Sequence, residues 1–459
     1  MSHERETSSE RGKDGGIFIN RNFALLWGGQ AVSVIGDYVF QTMLVLWITT
    51  VIARRQSWAP LAVSGALLAS SVPTFLIGPV AGVFADRWDK RLLMMRMDAL
   101  RAVLILFLIF ATGVIPLLFL VDGQLPIAWQ LGTLYGIIFV ISICDQFFNP
   151  ANMVLVSHLV EEPYRSRASG LNQVTGNLAI VVGPALGTLL FLRVGISWAL
   201  LTDSLSFAVS FLTIRAIHTP RTASPDGGQT LRPSFHREFL EGLRFYASNR
   251  VLVTILVTGV IVLLGAGAFN ALNIFFVTQN LHASPSIYGV LGSAAGLGAI
   301  VGAAFATAFV QHLGVIRVFW ISVLAVGGVV LLFGRTTSVI PAVVLAFLMG
   351  FTNTPINVTV MPLLLHVTPR ELVGRVVAVL SPMMSAASTL SVALAGYLAS
   401  TVLHNFHATV FGIAFGPVDT IFTCAGLLAV IAGLYAMVNL RGIRFEDGTH
   451  AASWNGSIR

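Results

Sequence analysis

The sequence predicts an all-α integral membrane protein of twelve transmembrane helices arranged in two six-helix halves. Three observations predict it. Only 10% of the 459 residues are charged and 56% are hydrophobic. An ordinary soluble domain carries about 25% charge, so most of this surface must be solvated by lipid. Uninterrupted apolar runs such as Val103–Leu120 have the length of spanning helices and lack the alternation of barrel strands. One long polar break, HTPRTASPDGGQTLRPSF at 218–235, divides the apolar runs into six and six.

Residues 1–21 read as a polar cytoplasmic tail, without the apolar core and small-residue cleavage site of a signal peptide. The first bundle, 22–217, holds spans at 22–52, 60–85, 93–121, 126–150, 166–192 and 196–217. Residues 218–250 read as a flexible linker. Within it Phe235, Phe239, Leu240, Leu243 and Tyr246 recur at helical spacing. They suit an amphipathic helix on the membrane surface or a cytoplasmic extension of the next span. The second bundle, 251–440, holds spans at 251–280, 286–311, 315–333, 339–365, 375–403 and 414–440, and 441–459 forms a second tail.

With both termini cytoplasmic, Arg54, Arg55, Arg193 and Arg335 lie outside and 27 − 4 = 23 of the Lys and Arg lie inside. That is the positive-inside bias of a multi-pass cell-membrane protein. The net charge of +7 then faces anionic lipid headgroups, and no nucleic-acid motif accompanies it. Cys144 and Cys424 both sit in apolar segments, so no disulfide framework is expected. The halves echo one another. Pro150-x-Asn152 recurs as Pro355-x-Asn357, offset by 355 − 150 = 205 residues, and Arg167 recurs as Arg375, offset by 375 − 167 = 208. Duplicated halves are a transporter signature.

The loop after the second span, GVFADRWDKR at 82–91, has five charges in ten residues. Gly82 and Asp86 share a helix face, so a neighbouring helix can approach Gly82 and meet the Asp86 carboxylate, either through its positive N-terminal end or through an arginine. The stretch resembles the G-x-x-x-D-R-x-G-R-R signature of the major facilitator superfamily. Gly82, Asp86, Arg87, Lys90 and Arg91 match in type, and Asp89 stands where glycine is usual. That departure, and NRNFALLWGGQAVSVIGDYVF in the first span, resemble the macrolide-efflux and enterobactin-exporter branch. The resemblance implies a major facilitator fold and a conformational latch between this loop and the start of the eleventh helix, around Gly374–Arg375. It also implies that Asp145 pairs with Arg87 or Arg91. In the fifth span Gly170, Gly183, Pro184 and Gly187 resemble the antiporter pattern G-x8-G-x3-G-P-x2-G-G, with Ala179 and Thr188 replacing two glycines. The arginine that many proton antiporters carry in the fourth helix is absent, since no Arg or Lys lies between Arg101 and Arg165.

Three acids read as lying within spans: Asp37, Asp145 and Asp203. A carboxylate there must be paired, hydrated or protonated, which makes each a functional candidate. Gln30, Ser33, Asp37 and Gln41 step by three or four into one polar stripe, suited to a proton or cation site or to hydrogen-bonded helix packing. Asp203 is the second coupling candidate. Gly292-x3-Gly296 and Gly298-x3-Gly302 read as packing grooves. His404 and His407 lack further metal ligands nearby, and no Gly-Lys-Ser/Thr phosphate loop occurs. Neither a metal, a cofactor nor an enzymatic activity is expected.

The sequence leads to the expectation of a secondary-active exporter of amphipathic small molecules (drugs, macrolides or siderophores, by the resemblance). It would be driven by protons and act as a monomer in the bilayer. A lysophospholipid flippase, a nutrient importer and a degenerate transporter serving as a membrane sensor or scaffold remain alternatives.

Overall fold

The computed structural model describes residues 19–111, 126–217, 243–369, 371–406, 408–410 and 413–441. Twelve long helices account for nearly all of them: α1 (Arg21–Trp47), α2 (Ala59–Arg87), α3 (Lys90–Ala111), α4 (Ile127–Leu159), α5 (Arg165–Arg193), α6 (Ile196–Ala216), α7 (Arg250–Phe275), α8 (Ser286–Leu313), α9 (Val315–Arg335), α10 (Val339–Val367), α11 (Val373–Tyr397) and α12 (Pro417–Leu440). Among the described residues, eleven helices are long and apolar enough to cross a membrane. The exception is α3, whose described part carries Lys90, Arg91, Arg96, Asp98 and Arg101. Both tails and most of the linker, including Phe235 and Phe239, lie outside the described residues. Residues 243–248 are helical, and Tyr246 is buried.

Local chemistry starts the helices where polar side chains can satisfy orphan N–H groups. Asn20 caps α1, accepting from Phe23 N at 2.7 Å. Asn249 caps α7 through Val251 N at 2.9 Å. Asp89 caps α3 through Leu92 N at 2.7 Å, which gives the acid in the charged loop a structural task. Interior prolines occupy matching helices of the two halves: Pro150 in α4 with Pro355 in α10, and Pro184 in α5 with Pro382 in α11. The other ends of α1 and α7 both unwind into a π turn, at Ile48–Ile52 and Phe276–Asn280.

Helices α1–α6 pack on one another, as do α7–α12, and the halves meet mainly through α2 with α11 and α5 with α8. Call the end of the bundle where α1 begins and α12 finishes the terminal face. The named contacts between halves lie toward the opposite face. Ser400 Oγ accepts from Leu61 N at 3.0 Å, and a Cβ on Gly396 would strike Ser64. Ser293 Oγ donates to Val181 O at 2.5 Å, while Gly289 and Gly292 lie against Pro184. The apolar core follows the same division. One cluster joins both halves, including Met43, Leu46, Val63 and Phe207 from the first and Leu272, Phe276, Leu291 and Val392 from the second. Toward the terminal face each half keeps its own clusters, Leu26, Leu93 and Phe148 in one and Ile255, Phe319 and Leu363 in the other. There the facing surfaces open: Arg165, Arg167 and Gly170 of α5 and Ala303, Ala304 and Phe305 of α8 are exposed. A Cβ on Gly170 or Gly374 would meet nothing within 4 Å. Among the described residues the halves are closed together at the opposite face, and the named α5 and α8 surfaces are open toward the terminal face.

Candidate functional site

At the centre of the first half, α1, α3, α4 and α6 join through one polar chain. Gln30 Nε2 donates to Ser210 Oγ at 2.8 Å, and Ser210 Oγ donates to Asp98 Oδ2 at 2.6 Å. Arg101 Nη2 lies 3.2 Å from Asp98 Oδ1, and Arg101 Nη1 lies 2.9 Å from Asp145 Oδ1. Asp98 and Arg101 are three apart on α3 and project together. The Arg101 guanidinium also lies over the rings of Phe148 at 4.3 Å and Phe207 at 5.0 Å, contacts that favour a desolvated cation. Side-chain exposure grades the group, with Asp98 at 0%, Arg101 at 3% and Asp145 at 40%.

The expected coupling residues border this chain. Asp203 on α6 is 1% exposed, and its Oδ1 has no hydrogen-bond partner. Close helix approach puts it there, because a Cβ on Gly36 of α1 would stand 3.0 Å from that same oxygen. Gly29, one heptad earlier, sits as tightly against Thr213 and Ser210. Asp37, next to Gly36, is half-buried, and Asp203, Asp145, Arg101 and Asp98 all lie within electrostatic reach of it. The stripe drawn from the sequence does not share one environment. Gln30 is hydrogen-bonded to α6, Ser33 is buried, Asp37 is intermediate and Gln41 is exposed.

The structure corrects two expectations. Asp145 pairs with Arg101; of the two partners expected for it, Arg91 instead donates its Nε and Nη2 to the carbonyls of Ile214 at 3.1 Å and Arg215 at 2.6 Å, and the side chain of Arg87 lies outside the described residues. These carbonyls end α6 and need donors, so Arg91 ties the charged loop to its own half. The number of acids inside helices also rises, since Asp98 belongs to α3 and Asp419 to α12. Asp98 and Arg101 were legible as an Asp-x-x-Arg pair at i, i+3. They were missed because their helix begins at Lys90, which places both deeper than the charged loop suggests. Asp419 accepts from Gly416 N at 2.9 Å and lies 3.4 Å from Arg335, an end-of-helix arrangement.

Of the latch residues, the side chains of Asp86 and Arg87 lie outside the described residues, as does the surrounding of Gly82. Lys90 is half-buried at the start of α3, and Arg375 is half-buried in the first turn of α11. Trp88, beside them, stacks on Phe147 of α4 with centroids 6.1 Å apart. The fifth-helix residues pack α5 onto α1: a Cβ on Gly183 would collide with Tyr38, and one on Gly187 would press on the backbone of Val39. Pro184 faces α8 and lies against Gly292. Gly170 faces open space. His404 is exposed, and His407 lies outside the described residues.

Residues 17–444 match the family described as transmembrane secretion effector. The MFS-type transporter YkuC of Bacillus subtilis is 27% identical over 411 residues, 86% of this chain and 90% of its own length. Macrolide efflux protein A of Streptococcus pyogenes is 26% identical over 250 residues, 54% of this chain and 57% of its own. Among solved structures, a bacterial homologue of the iron transporter ferroportin in its inward-facing state gives a TM-score of 0.70 at 15% identity, covering 91% of this chain and 98% of that one. That likeness concerns the fold.

Proposed function

This chain belongs to the transmembrane secretion effector family of major facilitator transporters, and from that premise we propose that it exports amphipathic small molecules in exchange for protons. The observation that carries this reading is a charge imbalance in the first half. Asp98 and Asp145 both contact one guanidinium, Arg101, and two further carboxylates, Asp37 and Asp203, lie within electrostatic reach of it. One arginine balances one carboxylate; the others need protons, a bound cation or water in a setting where a bare charge is costly. Groups that must change occupancy as water access changes sides suit ion exchange. Asp37, half-buried beside the sealed Asp203, is the proposed site where proton and cationic substrate compete.

In the proposed orientation the terminal face is cytoplasmic, so substrate would be taken up from inside at that face. Closing that face would bring Asp86, four residues after Gly82, to the positive start of α11 near Arg375. The latch would then bias the rocking equilibrium by ~1–3 kcal/mol. The exporter names among relatives support the direction of transport.

The test uses inverted and right-side-out vesicles with an imposed pH gradient and dye, macrolide and siderophore probes. The reading expects accumulation inside inverted vesicles whose lumen is acidic. Accumulation that ignores the gradient, or occurs only in right-side-out vesicles, contradicts it. Orientation is checked separately with single cysteines at Ser224, Asn405 and Ser457. An impermeant maleimide on intact cells should label only position 405.

A further inference from the structure

We propose that Arg101 is the positioning residue of the ion-coupling site, a fixed internal counter-charge that one carboxylate must share with the others. The proposal rests on the proton-exchange reading for its role in transport, and on geometry alone for the charge balance.

Arg101 cannot travel. Its guanidinium is 3% exposed, carries Phe148 and Phe207 rings at 4.3 and 5.0 Å, and bridges α3 to α4 through Asp145 at 2.9 Å. Asp98, wholly buried, is held as firmly, with Ser210 donating to one oxygen and Arg101 near the other. One guanidinium neutralises only one of the two carboxylates it touches, so the group carries a surplus charge. Asp145, the nearer, is alone of the three substantially open, at 40% exposure. A carboxylate that exposed within a spanning helix is tolerable where it meets water and not lipid, so Asp145 is the cluster's mouth. Asp203, sealed with an unpartnered oxygen, is the interior position that the remaining charge must satisfy. The titratable groups facing Arg101 from the packed elements are Asp37 on α1, Asp98 on α3, Cys144 and Asp145 on α4, and Asp203 on α6. Among the described residues no second cation stands with them. Lysine would keep the charge but lose the planar fork and the ring contacts.

A balanced charge is separable from simple packing by pH and by paired substitution. The full-length protein is purified and its thermal unfolding followed from pH 5.5 to 8.5 for wild type, Arg101→Gln, Asp145→Asn and Arg101→Gln/Asp145→Asn. Arg101→Gln leaves the buried carboxylates unbalanced, so its folded state binds protons that the unfolded chain releases, and stability falls as pH rises. The expected result is a midpoint near wild type at pH 5.5, lower by several degrees at pH 8.5. The double variant should recover most of that loss. A deficit equal at every pH, or a double variant no better than Arg101→Gln, overturns the proposal. Should Arg101→Gln yield no folded protein, the double variant decides alone: folded protein supports the charge balance and its absence refutes it. In vesicles with tetraphenylphosphonium as probe, Arg101→Gln should lose gradient-driven accumulation and the double variant should regain part of it. Failure of wild type to respond to the gradient would remove the proton-exchange reading while the stability arm still judges Arg101.

Discussion

The two halves share a helix plan and differ in what they bury. In the first half charged side chains reach helix interiors: Asp37 in α1, Asp98 and Arg101 in α3, Asp145 in α4 and Asp203 in α6. In the second, the charged residues of α7–α12 are Arg250, Arg317, Arg335, Arg375 and Asp419, each within three residues of a helix end. Its interior is apolar and aromatic. Phe269, Phe276, Phe333 and Phe422 cluster with centroids from 4.5 to 6.1 Å apart, and Phe305, Phe309, Phe347 and Phe351 form a second group. The α8–α10 seam is drawn so tight that a Cβ on Gly298 or Gly350 would collide with facing backbone. The difference suggests a division of labour, with ion handling in one half and shape in the other.

The largest expected effect breaks the seam of the second half. Gly298→Leu must push backbone aside at Phe347, and overpacking of this kind costs about 2–3 kcal/mol. Gly328→Leu on α9, where a Cβ meets nothing within 4 Å, should stay within about 0.5 kcal/mol of wild type. Thermal unfolding of the purified variants checks both, and equal stability would mean that the seam is not under packing control.

A middle-sized effect concerns how the halves communicate. Asp86→Asn should lower turnover several-fold with expression retained, and Gly82→Leu should lower it further by blocking helix approach. Transport rates normalised to protein in the membrane decide it. Wild-type rates in both variants would reduce the charged loop to a topology signal. The smallest effect is at the closed face. Ser400→Ala removes the acceptor for Leu61 N, a hydrogen bond worth about 1 kcal/mol, or a fivefold shift in population toward opening there. Spin-label distances across the α2–α11 gap would report it, and an unchanged distribution would show that Ser400 does not hold the gate.

The fold was legible because hydrophobicity at this level leaves few alternatives. The linker at 218–235 and the repeated Pro-x-Asn elements made the two halves visible, and the matching interior prolines of α4 and α10 agree with that repeat. The site was legible in part. Asp37 and Asp203 stand out as isolated acids in apolar text, but the close contact of Gly36 with α6 beside them was not read from the sequence. Asp98 and Arg101 were hidden by their proximity to the charged loop, where acids and bases look like topology signals. The pairing of Asp145 with Arg101 was not foreseen because partner choice is a three-dimensional fact: Arg91 lies four residues beyond the end of α2, and the α6 carbonyls took it. No spacing in the sequence records which helix end lies above a given arginine.

The division of labour stands or falls on neutralising one acid in each half. In inverted vesicles with an acidic lumen, Asp37→Asn should abolish gradient-driven accumulation of probe while downhill movement continues. Asp419→Asn, which keeps a side-chain acceptor for Gly416 N, should accumulate within about twofold of wild type, as expected for a change at a helix end. Accumulation that survives in Asp37→Asn, or is lost in Asp419→Asn with the protein folded, would contradict the assignment of ion coupling to the first half.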